Sequence, residues 1–326
     1  MGDTAFGVMY RCDSPPEQLP AYARLVERLG YDELWVVEDC FFTGAVSAAA
    51  IAASVTETLK IGIGILPAAF RNPALAAMEL TNLERVFPGR ILPGFGHGMP
   101  DWVRQVGADH PSPLAVLGET VSAVRALLAS ETVTVDGQYA KLDGVKLAFP
   151  PAEAPRISTG VRGPRSLRLS GQVSDGTILT ECTSAPSVRW SRERIDAGRA
   201  DAGRTDPHRL TLYAWLDFDE KREWARQAIA GRLVGGPKLP PGDDDLAEEI
   251  AALVAAHPKV EDLAGALPES YLDRFTVAGT ATQSAASAKR LIDAGADSVV
   301  FVPPNDPPLA VTQITLAATE LLPLLR

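Results

Sequence analysis

Short apolar runs alternate with longer amphipathic stretches along most of this chain, and that alternation restricts it to a parallel sheet with crossover helices. Strands are predicted at Ala5–Tyr10, Glu33–Val37, Lys60–Leu66 and Arg90–Phe95, and again at Pro155–Thr159, Asp175–Thr180, Arg209–Asp217 and Ser298–Val302. Helices fall between them. One opens at Pro15-Pro16-Glu17 and stops at Leu29-Gly30, where the glycine supplies a left-handed terminus. A second is the alanine-rich Gly44–Thr58. Asn72-Pro73, an N-cap followed by proline at the first helical position, begins a third that runs to about Phe87. Gly163–Gly171, a stretch ending near Gly203, and Ala281–Gly295 supply further helices. About eight such strand–helix units, joined by right-handed crossovers, close into a TIM (β/α)8 barrel. An open doubly wound sheet would carry a glycine-rich dinucleotide fingerprint after its first strand, and Gly7-Val8-Met9-Tyr10-Arg11 carries none.

Two segments interrupt the alternation. Residues 131–149 contain Val-Thr-Val, an Asp-Gly turn signal and a Tyr-Ala-Lys-Leu return, the pattern of an inserted β-hairpin. Residues 231–274 open with a Gly-, Pro- and Asp-rich loop, Gly235–Asp245, and continue as helix. Both read as insertions on a single barrel domain spanning residues 1–326, with no repeat of solenoid period.

Charge and cysteine usage narrow the function. Against 41 Asp and Glu stand 31 Lys and Arg, a formal net charge of −10, so the whole-molecule field repels nucleic acid and anionic membrane surfaces. An anionic ligand must then meet a local positive site. The 46% of hydrophobic residues suffices for a large core. Cys12, Cys40 and Cys182 are widely spaced and include no CxxC pair, which argues against a disulfide framework or structural zinc and for a reducing cytoplasm. His97, His110, His208 and His257 lack metal-ligand spacing, so no metal is expected. The opening MGDTAFGVMY has no secretory pattern, and every apolar run breaks before the ~18 residues that a membrane span requires.

In such a barrel the loops after the strands' C-terminal ends build the active site. Strand two ends in Glu38-Asp39-Cys40, where adjacent carboxylates point to opposite faces, so at most one faces the mouth and the other caps a helix or joins an ion pair. Cys40 reads as a packing residue, since no base lies near it in sequence. Gly62 and Gly64 share one face of strand three, leaving room either for a flat ligand ring or for a tight barrel layer. Gly96-His97-Gly98 follows strand four without the spacing of a nucleotide-phosphate loop, and His97 is either a structural hydrogen-bonder or a catalyst. Gly160-Val161-Arg162-Gly163-Pro164-Arg165 opens a helix after strand five, where backbone N–H groups and two arginines make either an anion site or a capped helix with surface arginines.

The stretches LWVVEDCFF, GIGILPAAFRNPALAAMEL, PGRILPGFGHG, GVRGPRSL and SDGTIL, in that order and spacing, resemble the luciferase-like superfamily. Within it the chain is most similar to the deazaflavin (F420)-dependent oxidoreductases related to methylenetetrahydromethanopterin reductase, over about Phe6 to Leu325. The resemblance implies a TIM barrel, often a homodimer, that holds coenzyme F420 or, alternatively, FMN in its mouth. It places Asp39 and Cys40 near the redox ring, a cis peptide at Gly64-Ile65 behind that ring, and Gly98 and Trp102 in the same region. Val161, Arg162 and Gly163, flanked by Gly160 and Pro164, match its phosphate-binding turn, and Thr180 a second phosphate contact. Sugar-phosphate dehydrogenases of this superfamily carry His where this chain has Cys40 and Glu where it has Met99, so a substrate other than glucose 6-phosphate is expected. The implied activity is hydride transfer between F420 and a small organic substrate, and placement at strand ends makes Asp39, His97 and Glu181, in that order, the candidate proton-handling groups. Two other readings share the fold: an FMN-dependent luciferase-like monooxygenase fed by a separate reductase and oxygen, and a non-catalytic flavin-binding barrel.

Overall fold

The computed structural model describes residues 4–235, 239 and 241–326. Its first half runs β1 (Ala5–Tyr10), α1 (Leu19–Arg28), β2 (Glu33–Val36), α2 (Ala45–Ser54), β3 (Lys60–Pro67), α3 (Pro73–Val86) and β4 (Ile91–Gly96). Two helices follow, α4 (Pro100–Gln105) and α5 (Pro113–Leu128), then an antiparallel hairpin of β5 (Val133–Asp136) and β6 (Lys141–Val145). The alternation resumes with β7 (Ser158–Gly160), α6 (Pro164–Val173), β8 (Gly176–Leu179), α7 (Ala185–Asp201) and β9 (Arg209–Asp217). Next come α8 (Glu223–Gly235), α9 (Ala247–Ala256), α10 (Val260–Ala266), α11 (Glu269–Phe275) and the two-residue β10 (Val277–Ala278). The chain ends through α12 (Ala281–Asp293), β11 (Ser298–Val302) and α13 (Pro307–Leu316).

Strands β1, β2, β3, β4, β7, β8, β9 and β11 pair in parallel in that order, and β11 returns to β1, so the sheet closes. This is the expected TIM barrel. Proline has no N–H to donate to a ladder, and the fifth barrel strand accordingly begins at Ser158, beyond the predicted start at Pro155. Helices α4, α5, α8 and α13 have no counterpart among the predicted helices. The continuous helical run Pro307–Leu325 also amends the membrane expectation, being 19 residues long and apolar enough to span a bilayer by length and composition. Its Ile314, Ala317, Leu321 and Leu322 instead pack in the main core with barrel helices. Within the acidic, proline-rich loop, residues 236–238 and 240 lie outside the described residues.

Period-two alternation sends strand residues to two different cores. Outward positions such as Phe6, Val8, Leu34, Ile61, Ile63 and Phe301 pack under the helices. Inward positions fill the barrel itself, where Met9, Trp35, Ile178, Tyr213, Val300 and Val302 form one cluster. Gly62 belongs to that layer: a Cβ there would overlap the Trp35 ring, so the tight-layer reading holds for this glycine. At the N-terminal end of the barrel the buried Glu33 accepts hydrogen bonds from Trp35 Nε1 (2.8 Å) and Ser298 Oγ (2.9 Å), and it is ion-paired with Arg209.

Beside this end, His208 Nε2 lies 2.8 Å from Thr177 Oγ1, within a buried hydroxyl cluster that includes Ser170. Burial foremost, then the charges of Arg192, Arg199 and Arg204, push the His208 pKa down to about 4. The unfolded chain therefore takes up a proton between about pH 6.5 and 4 that the native state refuses, and stability falls as pH drops through that window. The expected slope is at most about 1.4 kcal/mol per pH unit. His208→Gln should remove it. Urea midpoints for both proteins at pH 7 and pH 5 measure this, and parallel losses would acquit the histidine.

Candidate active site

The C-terminal ends of the barrel strands surround a cavity of about 1030 Å3. Its rear wall is β3, where Gly64–Ile65 is a cis peptide, as the resemblance implied, and the pairing with β4 slips register between Ile63 and Leu66. That slip pushes Ile65 into the barrel mouth, and glycines on the neighbouring strands make the space. A Cβ at Gly160 would stand 2.6 Å from Ile65 Cγ2, and one at Gly96 would stand 2.8 Å from Ile65 Cγ1. Opposite, a Cβ at Gly64 would overlap the Tyr213 hydroxyl. Gly98, at φ +70°, turns the loop after β4 in a conformation that side chains disfavour.

Of the two adjacent carboxylates, Glu38 is consumed structurally. Arg71 clasps it with Nη1–Oε1 at 2.5 Å and Nη2–Oε2 at 2.8 Å, and the Ala45 N–H at the start of α2 donates to Oε2 at 3.0 Å. Both residues contribute atoms to the cavity, but for the Asp39 carboxylate no ion pair within salt-bridge distance is found among the described residues. The Cys12 thiol donates to Asp39 Oδ2 at 3.4 Å. Burial raises the Asp39 pKa above the ordinary carboxylate range, against the lowering influence of the thiol and Arg11. Glu181 follows the same logic: desolvation raises its pKa, opposed by Arg11 and Arg162 and reinforced by Asp39. The left-handed Cys182, at φ 62°, forms the turn immediately after it. His97 Nε2 lies 3.0 Å from Ser166 Oγ on α6, and burial lowers its pKa despite a backbone hydrogen bond at Pro113. A neutral imidazole results at pH 7.

Asp39, His97 and Glu181 thus line one cavity together with Gly64, Ile65, Gly98, Trp102, Gly160, Val161, Arg162 and Thr180. Three expected residues do not line it. After Asp39 the chain turns, with the Phe42 N–H bonded to the Asp39 carbonyl at 3.0 Å, and this carries Cys40 out of the cavity wall. Gly163 and Pro164 are exposed as the cap and first residue of α6, which places them beyond Arg162 on the outer side of the turn. Sequence reasoning missed Cys12, Tyr213 and Trp215, all of which line the cavity. For Tyr213 and Trp215 a signal existed, since alternate residues of β9 must point inward.

The site fits a large polar ligand with an anionic part. The Thr180 and Tyr213 hydroxyls are buried and make no hydrogen bond among the described residues, an arrangement that costs stability until a partner arrives. Arg162 is partly buried, with its pKa lowered by desolvation, and no ion pair within salt-bridge distance is found for it among the described residues. Such a guanidinium in an acidic protein favours an anion.

A family profile described as luciferase-like monooxygenase matches residues 4–298. The 5,10-methylenetetrahydromethanopterin reductase of Methanolobus tindarius is 29% identical over 312 residues, covering 93% of this chain and 95% of that protein. Among solved structures, the coenzyme F420 dependent tetrahydromethanopterin reductase from Methanopyrus kandleri superposes with a TM-score of 0.82 at 20% identity, over 100% of both chains. An F420-dependent secondary alcohol dehydrogenase in complex with an F420-acetone adduct gives 0.81 at 20% identity, over 99% of both.

Proposed function

Since the chain belongs to the luciferase-like monooxygenase family, we propose that it is an F420-dependent oxidoreductase that moves a hydride between the cofactor and a small organic substrate. The observation that carries this reading is the pair of hydroxyls, Thr180 and Tyr213, that find no hydrogen-bond partner among the described residues, in a cavity that also presents the desolvated Arg162. When bound, F420 gives or takes two electrons as hydride at C5 of its deazaflavin ring. Arg162, Val161 and Thr180 would hold its anionic part, and Gly64 and Ile65 would form the surface against its ring. A cavity of about 1030 Å3 leaves room for a substrate beside it. Asp39 holds or releases a proton at its carboxyl oxygen, with its pKa raised toward the working range by burial. His97, neutral and tied to Ser166, and Glu181 face the same space.

The protein is a homodimer in this reading. Leu75, Met78 and Val86 are exposed and share one face of α3, an apolar stripe that a second copy would cover.

Titration with F420 and, separately, FMN tests the proposal, with tryptophan quenching and cofactor fluorescence as readouts. F420 should bind at least tenfold more tightly than FMN, and Thr180→Val should weaken it by about tenfold, the effect of one lost hydrogen bond of about 1.4 kcal/mol. Preference for FMN would move the protein to the oxygen-using branch of the family; binding of neither would make it a non-catalytic barrel. Light scattering on the same sample should read twice the chain mass of 34.6 kDa, and a monomer would refute the dimer.

A further inference from the structure

Behind the mouth cavity lies a second, smaller chamber of about 180 Å3, between the start of α1 and α2. Its walls include Leu19, Val36, Ala48 and Ile51, and it shares Cys12 and Val37 with the mouth cavity. Those two side chains are thus the partition between the spaces. Nothing in the mechanism above uses the chamber. The Tyr10 hydroxyl, which also borders it, gives its proton to the Pro15 carbonyl at 2.5 Å, and the Ser47 hydroxyl gives its own to the Gly44 carbonyl at 2.9 Å, so neither proton is offered to an entering group; Thr43 is a further polar residue in the lining. At its far side the chamber meets the exposed residues Ser47 and Ile51.

We propose that this chamber is an annex of the substrate site that takes an apolar group about the size of a phenyl ring, admitted from the mouth cavity past Cys12. The inference rests on the oxidoreductase reading, since it assigns the annex to that enzyme's substrate. Size supports it: an apolar protein cavity of about 150 Å3 accepts benzene. Position supports it too. The Cys12 thiol donates to Asp39, so a substituent lodged behind Cys12 brings the functional group it carries up to the carboxyl proposed to handle the proton. Burial pushes the Cys12 pKa up to about 12, which keeps the doorway an uncharged thiol that behaves as a small hydrophobe. The annex therefore selects substrates with an aryl or branched alkyl substituent over compact, fully polar ones.

Benzyl alcohol is the probe, its binding followed by saturation-transfer NMR on the full-length protein. Ala48→Leu fills the annex from α2, and Ile51→Trp fills it from an exposed position that tolerates substitution; thermal melts confirm that each variant folds. The expected result is saturable binding to the wild type, weakened at least tenfold in either folded variant, while the affinity for F420 in a parallel titration stays within twofold. Failure of benzyl alcohol to bind the wild type, or equal binding to wild type and variants, overturns the annex. The two readings fail separately. If F420 does not bind while probe binding still depends on positions 48 and 51, the cofactor assignment falls and the annex stands as a binding site. If F420 binds while the probe ignores those positions, the reverse holds.

Discussion

Asp39→Asn should lower F420 turnover by about 10²–10⁴-fold, the usual contribution of a positioned acid or base, with cofactor affinity unchanged within twofold. Among the three groups singled out, Asp39 combines a raised pKa with one weak polar side-chain partner among the described residues, the Cys12 thiol. Glu38, one residue earlier, is disqualified by its two-pronged contact with Arg71 and its role at the start of α2. Turnover is followed by cofactor absorbance with a panel of secondary alcohols and their ketones, aryl-substituted members included. The sign of the pH dependence follows from burial. A carboxyl whose pKa lies above the ordinary range moves the acid limb of the rate profile upward, and Asp39→Asn should abolish that limb. Full turnover in Asp39→Asn together with loss in Glu181→Gln would transfer the role to Glu181, whose pKa is raised by the same cause. Full activity in both, and in His97→Ala, would show that the chain itself supplies no proton.

The second large effect concerns the opposite end of the barrel. Arg209→Met should destabilise the protein by about 3–5 kcal/mol, the range for a buried charge that loses its partner. Glu33 is buried, and besides Arg209 it has only the two neutral donors Trp35 Nε1 and Ser298 Oγ among its described hydrogen-bond partners. Neither can neutralise a carboxylate. Urea denaturation reads the loss as a shifted midpoint. The double replacement of Glu33 by Gln and Arg209 by Met should recover much of the loss, because no uncompensated charge then remains. An Arg209→Met protein that unfolds at the wild-type midpoint would mean that Glu33 needs no cation, and with it that the ion pair contributes nothing.

The barrel was legible because its signal is periodic. Eight apolar runs, helix boundaries marked by proline, asparagine or glycine, and one Asp-Gly turn each carry local information, and β1, β9 and β11 fall at the predicted residues. What escaped was non-local or masked. Helix α5 did have a readable start, Ser112-Pro113, with the Ser112 hydroxyl accepting from the Ala115 N–H at 3.2 Å. The neighbouring His-Pro-Ser-Pro sequence reads equally well as loop. At the site, strand-end position singled out Asp39, His97 and Glu181, and the family resemblance Thr180. Cys12, two residues past the end of β1, was open to the same reading, but its place beside Asp39 is a contact across 27 residues that only the closed barrel creates. Cys40, next to Asp39 in sequence, was the natural guess, and a single turn of backbone moves it away.

The wall behind the proposed cofactor ring, Gly64–Ile65, is seated by Gly62, Gly96 and Gly160 around it, and at each of these four glycines an added methyl would strike Trp35, Tyr213 or Ile65. A wall fitted this closely offers selection almost nothing to exchange, so that half of the site is inherited whole or lost whole. Innovation must come from the facing half, at positions such as Cys12, Ala48 and Met99, where side chains of different sizes can be tried without touching the ring's seat. A library meant to change the substrate of this enzyme should therefore randomise those positions and hold the four glycines fixed.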